Sequence, residues 1–467
     1  MNQFQAVILA AGKSSRFRSE KNKLLTTMCG QELILYPITA LIACTIPMVC
    51  VVGHKKEELR ETINKHYSSI KYIEQLEQKG TGHAVACALP LLTSEHILII
   101  NGDMPLITQE LIRTLCDMHI TRNATLSFVV SHVPSTTQHA YGRVIRDNAS
   151  IKIIEARDFT GTHNYPINAG IYCIKRSFLE KTLTLLTPNN SAGELYITDL
   201  IHEANMRREI IETVEAPFEI IQGVNTLEEL SHATRVQQLA LCKFWLHNGV
   251  YIENPDTTYL DVTISLGEGT SLAPGVSIKG NTVIGKNCSI GAYSLLHNAH
   301  LDNNIIVHPH TVIYDSHLQQ ETVVGPFAHI RGHSTLAKKA IIGNFVEVNK
   351  TTLGIGSKAK HLSYLGNATI GSSVNIGAGT ITCNYDGHAK HQTIIEDNAF
   401  IGSNSSLVAP VTIGAHAMIG AGSVITENVP AYALALARSR QVNKEEYMMT
   451  AKKTFTAAQP TDEPLSE

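Results

Sequence analysis

Apolar residues recur at every sixth position from Ile395 onward. Ile401, Leu407, Ile413, Ile419 and Ile425 follow in step, and Gly402, Gly414 and Gly420 stand directly behind three of them. A helix repeats its apolar face every 3.6 residues and a half-buried strand every two, so neither accounts for a period of six. A parallel β-helix does: each short strand sends one aliphatic side chain inward, then turns a corner where a small residue is needed. The same period runs through Ile278, Ile284, Ile290 and Leu296, and through Val324, Ile330, Leu336, Ile342 and Val348. Ile370 and Ile376, backed by Gly371 and Gly377, make a shorter run. The runs are out of phase, which places insertions between coils, and such insertions become loops on one face, often the binding face. One coil cannot bury its own apolar side, so coils must stack in series.

Residues 1–225 carry a different pattern. Ala6–Leu9, Val49–Val52 and Ile97–Ile100 are short apolar runs of the kind buried in parallel sheets, with helical stretches such as His83–Leu92 between them. They predict a doubly wound α/β domain, whose ligands bind beyond the carboxyl ends of the strands. Thr226-Leu227-Glu228-Glu229 is a capping box. It opens a linker helix over 226–250, with Leu230, Ala233, Val236, Ala240 and Phe244 as its packing stripe and Gly249 as its stop. The β-helix is expected over 251–437, and the polar, proline-containing stretch 438–467 as a mobile tail. Leu33 to Gly53 is uncharged and long enough to span a membrane, but it holds Pro37 and Pro47. A buried helix followed by a buried strand is the reading it supports, and no membrane partner is expected.

Composition narrows the partners. A net charge of -3 over 467 residues argues against a nucleic-acid partner held by a basic surface. The nine cysteines are scattered without a CxxC pair, which fits a reducing, cytoplasmic setting rather than a disulfide framework or a zinc site. The chain begins without a basic n-region, so no signal peptide is expected.

The chemistry should sit in the loops after the strands. Leu9-Ala10-Ala11-Gly12-Lys13-Ser14-Ser15-Arg16 matches neither GxGxxG nor a Walker A loop. Its small residues still allow close backbone approach, and Lys13, Arg16 and Lys23 supply charge for phosphates. A plain strand–turn with solvated basic residues explains it equally well. Asp103, in Asn101-Gly102-Asp103, is placed to hold Mg²⁺ on a nucleotide phosphate, or simply to cap a turn.

These segments bring a family into view. LAAGKSSRF, Lys23, Gln75, Gln78-Lys79-Gly80-Thr81-Gly82-His83-Ala84, Gly102-Asp103 and Tyr141-Gly142-Arg143 resemble sugar-1-phosphate nucleotidyltransferases, and Glu155, Asn168-Ala169-Gly170 and Gly223-Val224-Asn225 continue the match. With the β-helix attached, the chain resembles the bacterial enzymes that join N-acetylglucosamine-1-phosphate uridyltransferase to glucosamine-1-phosphate N-acetyltransferase. The resemblance implies a Rossmann-like nucleotidyltransferase domain followed by a left-handed β-helix, and a homotrimer. It implies UTP and UDP-sugar contacts at Leu9, Ala10, Ala11, Gly12, Lys23, Gln75, Gly80, Thr81, Gly142, Glu155, Asn168 and Asn225. Mg²⁺ falls to Asp103 and Asn225, and transition-state charge to Arg16 and Lys23.

For the second activity the matching segments are Gly343-Asn344-Phe345-Val346-Glu347, the run Gly356 to Gly366, Asn375 to Thr380 and Thr382 to Gly387. An amine attacking a thioester must lose a proton, and imidazole titrates in the useful range. Among 22 histidines the resemblance singles out His361 as that base. It makes Arg331, Asn349, Tyr364 and Asn375 contacts for the amino-sugar phosphate. Ala378, Asn384, Tyr385, Ser403, Ala421 and Arg438 become contacts for acetyl-CoA, with Asn384 also within the acceptor's compass. Without the resemblance, most of these positions read as ordinary β-helix corners. Three residues depart from the family pattern: Asn22 in place of proline, Asn101 in place of tyrosine, and Asn349 in place of a lysine. The rival activities are a single-function sugar nucleotidyltransferase with a regulatory β-helix, and a scaffold that has lost its chemistry.

Overall fold

The computed structural model describes all residues except 2, 13–16, 18–21, 134–140, 148–149, 157, 160–164, 191 and 450–467. Arg16 therefore lies outside the described residues, as does most of the expected tail. The chain forms two compact units, Met1–Ala299 and His300–Glu467.

In the first unit a mixed sheet runs Ile211–Glu215, Leu126–Ser131, Ile167–Lys175, His96–Asn101, Phe4–Ala10, Met48–Val52 and Lys71–Glu74. The apolar runs at 6, 49 and 97 are its central parallel strands. Ala6 and Ile8 face one helical layer and Val7 the other, all fully buried, as alternation in a sheet covered on both faces requires. Ile167–Lys175 breaks the expected parallel order, pairing antiparallel with both neighbours. The uncharged stretch 33–53 becomes the helix Leu35–Ala43 and the strand Met48–Val52. Among the described residues no helix is long and apolar enough to cross a membrane, and all nine cysteines are free.

The linker helix runs Leu227–His247 with its capping box intact: Glu229 N–H donates to Thr226 Oγ1 (3.1 Å) and Thr226 N–H to Glu229 Oε2 (2.9 Å). Its packing stripe follows expectation in the first half, where Ala233 is buried with Leu230 and Val236 packed against the same cluster, and departs from it in the second. Phe244 is 55% exposed and Ala240 is exposed, while Ala233, Gln238 and Cys242 are buried. Gln238 is polar, so an apolar count passes over it. Its amide donates to Leu260 O and accepts from Leu260 N–H, both at 2.8 Å, which fastens the helix to the coil at Tyr259–Leu260.

In the second unit, short strands stack as three parallel ladders of a left-handed β-helix, such as His329–Arg331, Glu347–Asn349 and Tyr364–Gly366. The hexad residues form its interior: Ile395, Ile401, Leu407, Ile413, Ile419 and Ile425 are all buried. The corner glycines answer to crowding. A Cβ on Gly402 would stand 2.5 Å from Ala421 N on the next coil.

Candidate active sites

The first candidate site gathers where four adjacent parallel strands end. Leu9 pairs with Asn101 and Ala10 with Val52, so the loop from Ala11, the Gly102–Asp103 turn and Gln75 emerge side by side. The cleft between them is lined by Leu9, Ala10, Ala11, Gly12, Lys23, Gln75, Gly80, Thr81, Asp103 and Asn225. At its centre the buried Lys23 ammonium donates to Asp103 Oδ2 (2.7 Å) and to Asn225 Oδ1 (3.0 Å). Gly80 closes one side with φ +103°, where a side chain would also meet Leu195 O at 2.5 Å. Gln75 donates to Gly80 O (3.0 Å) and stiffens that turn.

Gly142, Glu155 and Asn168 line no part of this cleft and form a group of their own. Asn168 N–H donates to Gly142 O (2.9 Å) and the Asn168 amide to Tyr172 OH (2.6 Å). Burial pushes the Glu155 carboxyl up from its ordinary range, partly offset by the Thr198 hydroxyl donating to it at 2.8 Å.

The second candidate site lies in the β-helix unit. Asn344 and His361 are in-register partners, and Asn344 Oδ1 sits 2.9 Å from His361 Nδ1. An acceptor there keeps the proton on Nδ1 and leaves Nε2 free to take one. Ala359, Ile376, Ile401 and Ile419 stack in register. Two residues beyond each stand His361, Ala378, Ser403 and Ala421, so His361 heads a column that three of the expected acetyl-CoA residues continue. Ala437 N–H donates to Ser423 Oγ (3.2 Å) and Ala437 O accepts from Val424 N–H (3.1 Å), which brings the exposed Arg438 to the coil of Ala421.

Around the corner from His361, Arg331 is in register with Asn349, and Tyr364 with Glu347. The Arg331 guanidinium is already engaged: Nε and Nη2 both donate to Glu347 Oε1, at 2.9 and 2.6 Å. Asn349 is 4% exposed. Asn375 begins the next strand in register with Lys358, at the opposite end from His361. Buried Asn384 donates to Asn367 Oδ1 (2.7 Å) and Tyr385 OH to Gly387 O (2.7 Å), both at the root of the 384–391 loop. Ala389 N–H, His391 and His388 N–H hold the Asp386 carboxylate in that loop well below the usual range.

Comparison with known proteins joins the two sites. A family model for the MobA-like NTP transferase domain matches residues 6–157, one for the GMPPB C-terminal domain residues 261–370, and one for the bacterial transferase hexapeptide (six repeats) residues 392–427. The bifunctional protein GlmU of Geobacillus sp. (strain WCH70) is 40% identical over 451 residues, 95% of this chain and 97% of that one. GlmU of Geotalea daltonii (strain DSM 22248 / JCM 15807 / FRC-32) is 40% identical over 461 residues, covering 97% and 100%. The chain belongs to the GlmU family.

As a GlmU-family chain, it has further residues at the candidate sites to which the sequence motifs gave no role. Gln78 reaches Ala11 O across the first cleft. Glu194 and Leu24 line it as well, and no local motif marks either. Asn344 and Glu347 were visible inside a motif, but nothing there told that one orients His361 and the other engages Arg331. Of the family departures, Asn22 caps the short helix Lys23–Leu25, its Oδ1 accepting from Leu24 N–H at 3.0 Å. It thus positions Lys23 by a hydrogen bond where proline would do so by a fixed φ. Asn101 lines the cleft itself.

Proposed function

We propose that this chain catalyses two steps of UDP-N-acetylglucosamine synthesis: acetyl-CoA-dependent N-acetylation of glucosamine-1-phosphate, then uridylyl transfer from UTP to N-acetylglucosamine-1-phosphate with release of pyrophosphate. The product is a precursor for peptidoglycan and lipopolysaccharide. One observation carries the reading: a chain matching bifunctional relatives over nearly its full length holds two polar clusters in different units, Lys23–Asp103–Asn225 and Asn344–His361.

In the acetyl step His361 Nε2 takes the proton of the sugar amine as its nitrogen attacks the thioester carbonyl, and coenzyme A departs as the thiol. Asn344 fixes the ring by holding Nδ1–H. Arg331, Asn349, Tyr364 and Asn375 receive the acceptor, while Ala378, Asn384, Tyr385, Ser403, Ala421 and Arg438 receive acetyl-CoA.

In the uridylyl step a sugar-phosphate oxygen displaces pyrophosphate at the α-phosphorus of UTP, and positioning with charge neutralisation does most of the work. Lys23 and Arg16 neutralise the phosphate charge, with Gly142, Glu155 and Asn168 serving the sugar. Asp103 Oδ2 and Asn225 Oδ1 converge on one ammonium, and two oxygen donors so arranged suit a hard cation. These two residues would hold Mg²⁺, which supplies charge neutralisation on the phosphates. The same reading carries a homotrimer, a cytoplasmic location and the division 1–225, 226–250, 251–437 and 438–467.

The test supplies purified chain with glucosamine-1-phosphate, acetyl-CoA, UTP and Mg²⁺, following free thiol and pyrophosphate separately. Both signals are expected, and Asp103→Asn should remove only the second. Pyrophosphate release without thiol release, given N-acetylglucosamine-1-phosphate, would replace the reading with a single-function nucleotidyltransferase.

A further inference from the structure

Outside both clusters, two consecutive coils of the β-helix unit carry an unexplained trio. Leu301 is buried, so strand alternation turns His300 and Asp302, on either side of it, outward together. His317 is the in-register partner of His300 on the next coil, and the two imidazoles meet edge to face with centroids 4.7 Å apart. Asp302 N–H donates to Leu318 O at 2.9 Å, which holds its carboxylate at the height of the pair. Asp302 Oδ1 lies 3.0 Å from His317 Nε2 and 3.4 Å from His300 Nε2. One ligand atom from each residue lies within 4.8 Å of the other two.

We propose that His300, Asp302 and His317 form a binding site for a divalent cation of the Zn²⁺ class, with a fourth position open to water. Tetrahedral Zn²⁺ with bonds of about 2.0–2.2 Å sets its ligands roughly 3.3–3.5 Å apart. The two carboxylate–imidazole separations already stand near that value, and rotation of one exposed ring closes the third. The donor set decides the class of ion. Two imidazoles and one carboxylate suit Zn²⁺ and its neighbours, whereas Mg²⁺ keeps to oxygen. With the ion bound, each ring would present its Nε2 lone pair and carry its remaining proton on Nδ1, the ion displacing the Nε2 proton that the Asp302 carboxylate otherwise accepts from His317. The side chains are 56%, 35% and 41% exposed, so the ion enters directly from solvent. Its ligands come from two successive coils, so it binds the stacked form only and holds that stack together.

The experiment uses the full chain, stripped of metal and then held in excess Mg²⁺ to occupy oxygen sites. Co²⁺ is titrated in while its visible absorption is followed, and Zn²⁺ is then added to displace it. One saturable equivalent per chain with tetrahedral bands is expected, together with a Tm that rises with Zn²⁺. His317→Gln and Asp302→Asn should each weaken binding at least about tenfold and abolish the Tm response. Both positions face outward, and unchanged metal-free Tm values confirm that the variants fold; His300→Gln stands in if one does not. Equal Co²⁺ spectra and equal Zn²⁺ response in wild type and variants would overturn the site, as would the absence of a saturable signal. The trio would then be a hydrogen-bonded surface group only.

Discussion

The Lys23 ammonium stands 2.7 Å from Asp103 Oδ2, in the place between Asp103 and Asn225 that a cation held by both would take. Two cations that close repel, so Lys23 and a divalent ion held there would compete for the same oxygens until phosphates arrived to engage the lysine. Lys23→Met is therefore expected to tighten Mn²⁺ binding to the nucleotide-free chain by about tenfold, or about 1.4 kcal/mol. The same change should all but stop pyrophosphate release. Electron paramagnetic resonance of free Mn²⁺ measures the first effect, and an unchanged or weaker affinity would refute the competition.

His361→Ala should lower acetyl transfer by about 10²–10⁴-fold, while uridylyl transfer from supplied N-acetylglucosamine-1-phosphate continues. Asn344→Ala is expected to act through the ring it holds at 2.9 Å. Its effect should be about a tenfold fall in kcat with little change in the acceptor KM, because no acceptor contact is removed. A rise in KM alone would reassign Asn344 to binding.

Asn349 offers a neutral amide beside Arg331, whose guanidinium already answers to Glu347. A charge-assisted contact exceeds a neutral one by on the order of 1–2 kcal/mol. Asn349→Lys should accordingly lower the KM for glucosamine-1-phosphate by about five- to thirtyfold, with acetyl-CoA as the unchanged control. A flat or raised KM would place the sugar phosphate elsewhere.

Stability should depend on pH through a histidine far from either chemistry. His119 is fully buried, with Nδ1 2.8 Å from Ser127 Oγ and Nε2 3.1 Å from His96 Nδ1. Burial first, then the His96 and Lys175 charges, bring its pKa down to about 3. The unfolded chain protonates this ring near pH 6.5 and the folded chain does not, so the unfolded state binds more protons between those values. The contribution is complete above about pH 6.5 and declines as pH falls toward 3, by roughly 2 kcal/mol at pH 5. Urea midpoints near pH 7.5 and pH 5 should show a larger loss in wild type than in His119→Gln. Equal losses would clear His119 of the effect.

The interior of the β-helix was legible because nearly every inward residue meets the same demand, to be aliphatic, with Thr382 beside Leu407 an exception. Ile395 through Ile425 met it without exception. The outward residues obey no such rule. Their alignment depends on how many residues each corner adds, so the column His361–Ala378–Ser403–Ala421 emerged only from the register. Lys23, Asp103 and Asn225 were identifiable through the family motifs, but their mutual contact joins residues up to 202 positions apart. Apolar periodicity found Leu230, Ala233 and Val236 but missed the second half of the linker helix's buried face for a simpler reason. Its central residue, Gln238, is buried by hydrogen bonds to Leu260.

The regular register also governs how the second unit comes apart. Val348 pairs with Ile330 and with Leu365, partners 18 and 17 positions away, and only the 384–391 loop stretches one such step, from Ile370 to Ile395. Each coil thus closes on a short loop and depends on its immediate neighbours, so assembly and loss proceed along a line. Opening should begin at the terminal coil of Leu434–Ala435, which has a partner on one side only, at Met418–Ile419. Hydrogen exchange would then slow step by step from that coil inward, and the residues beside Ala421 would loosen long before His361 does.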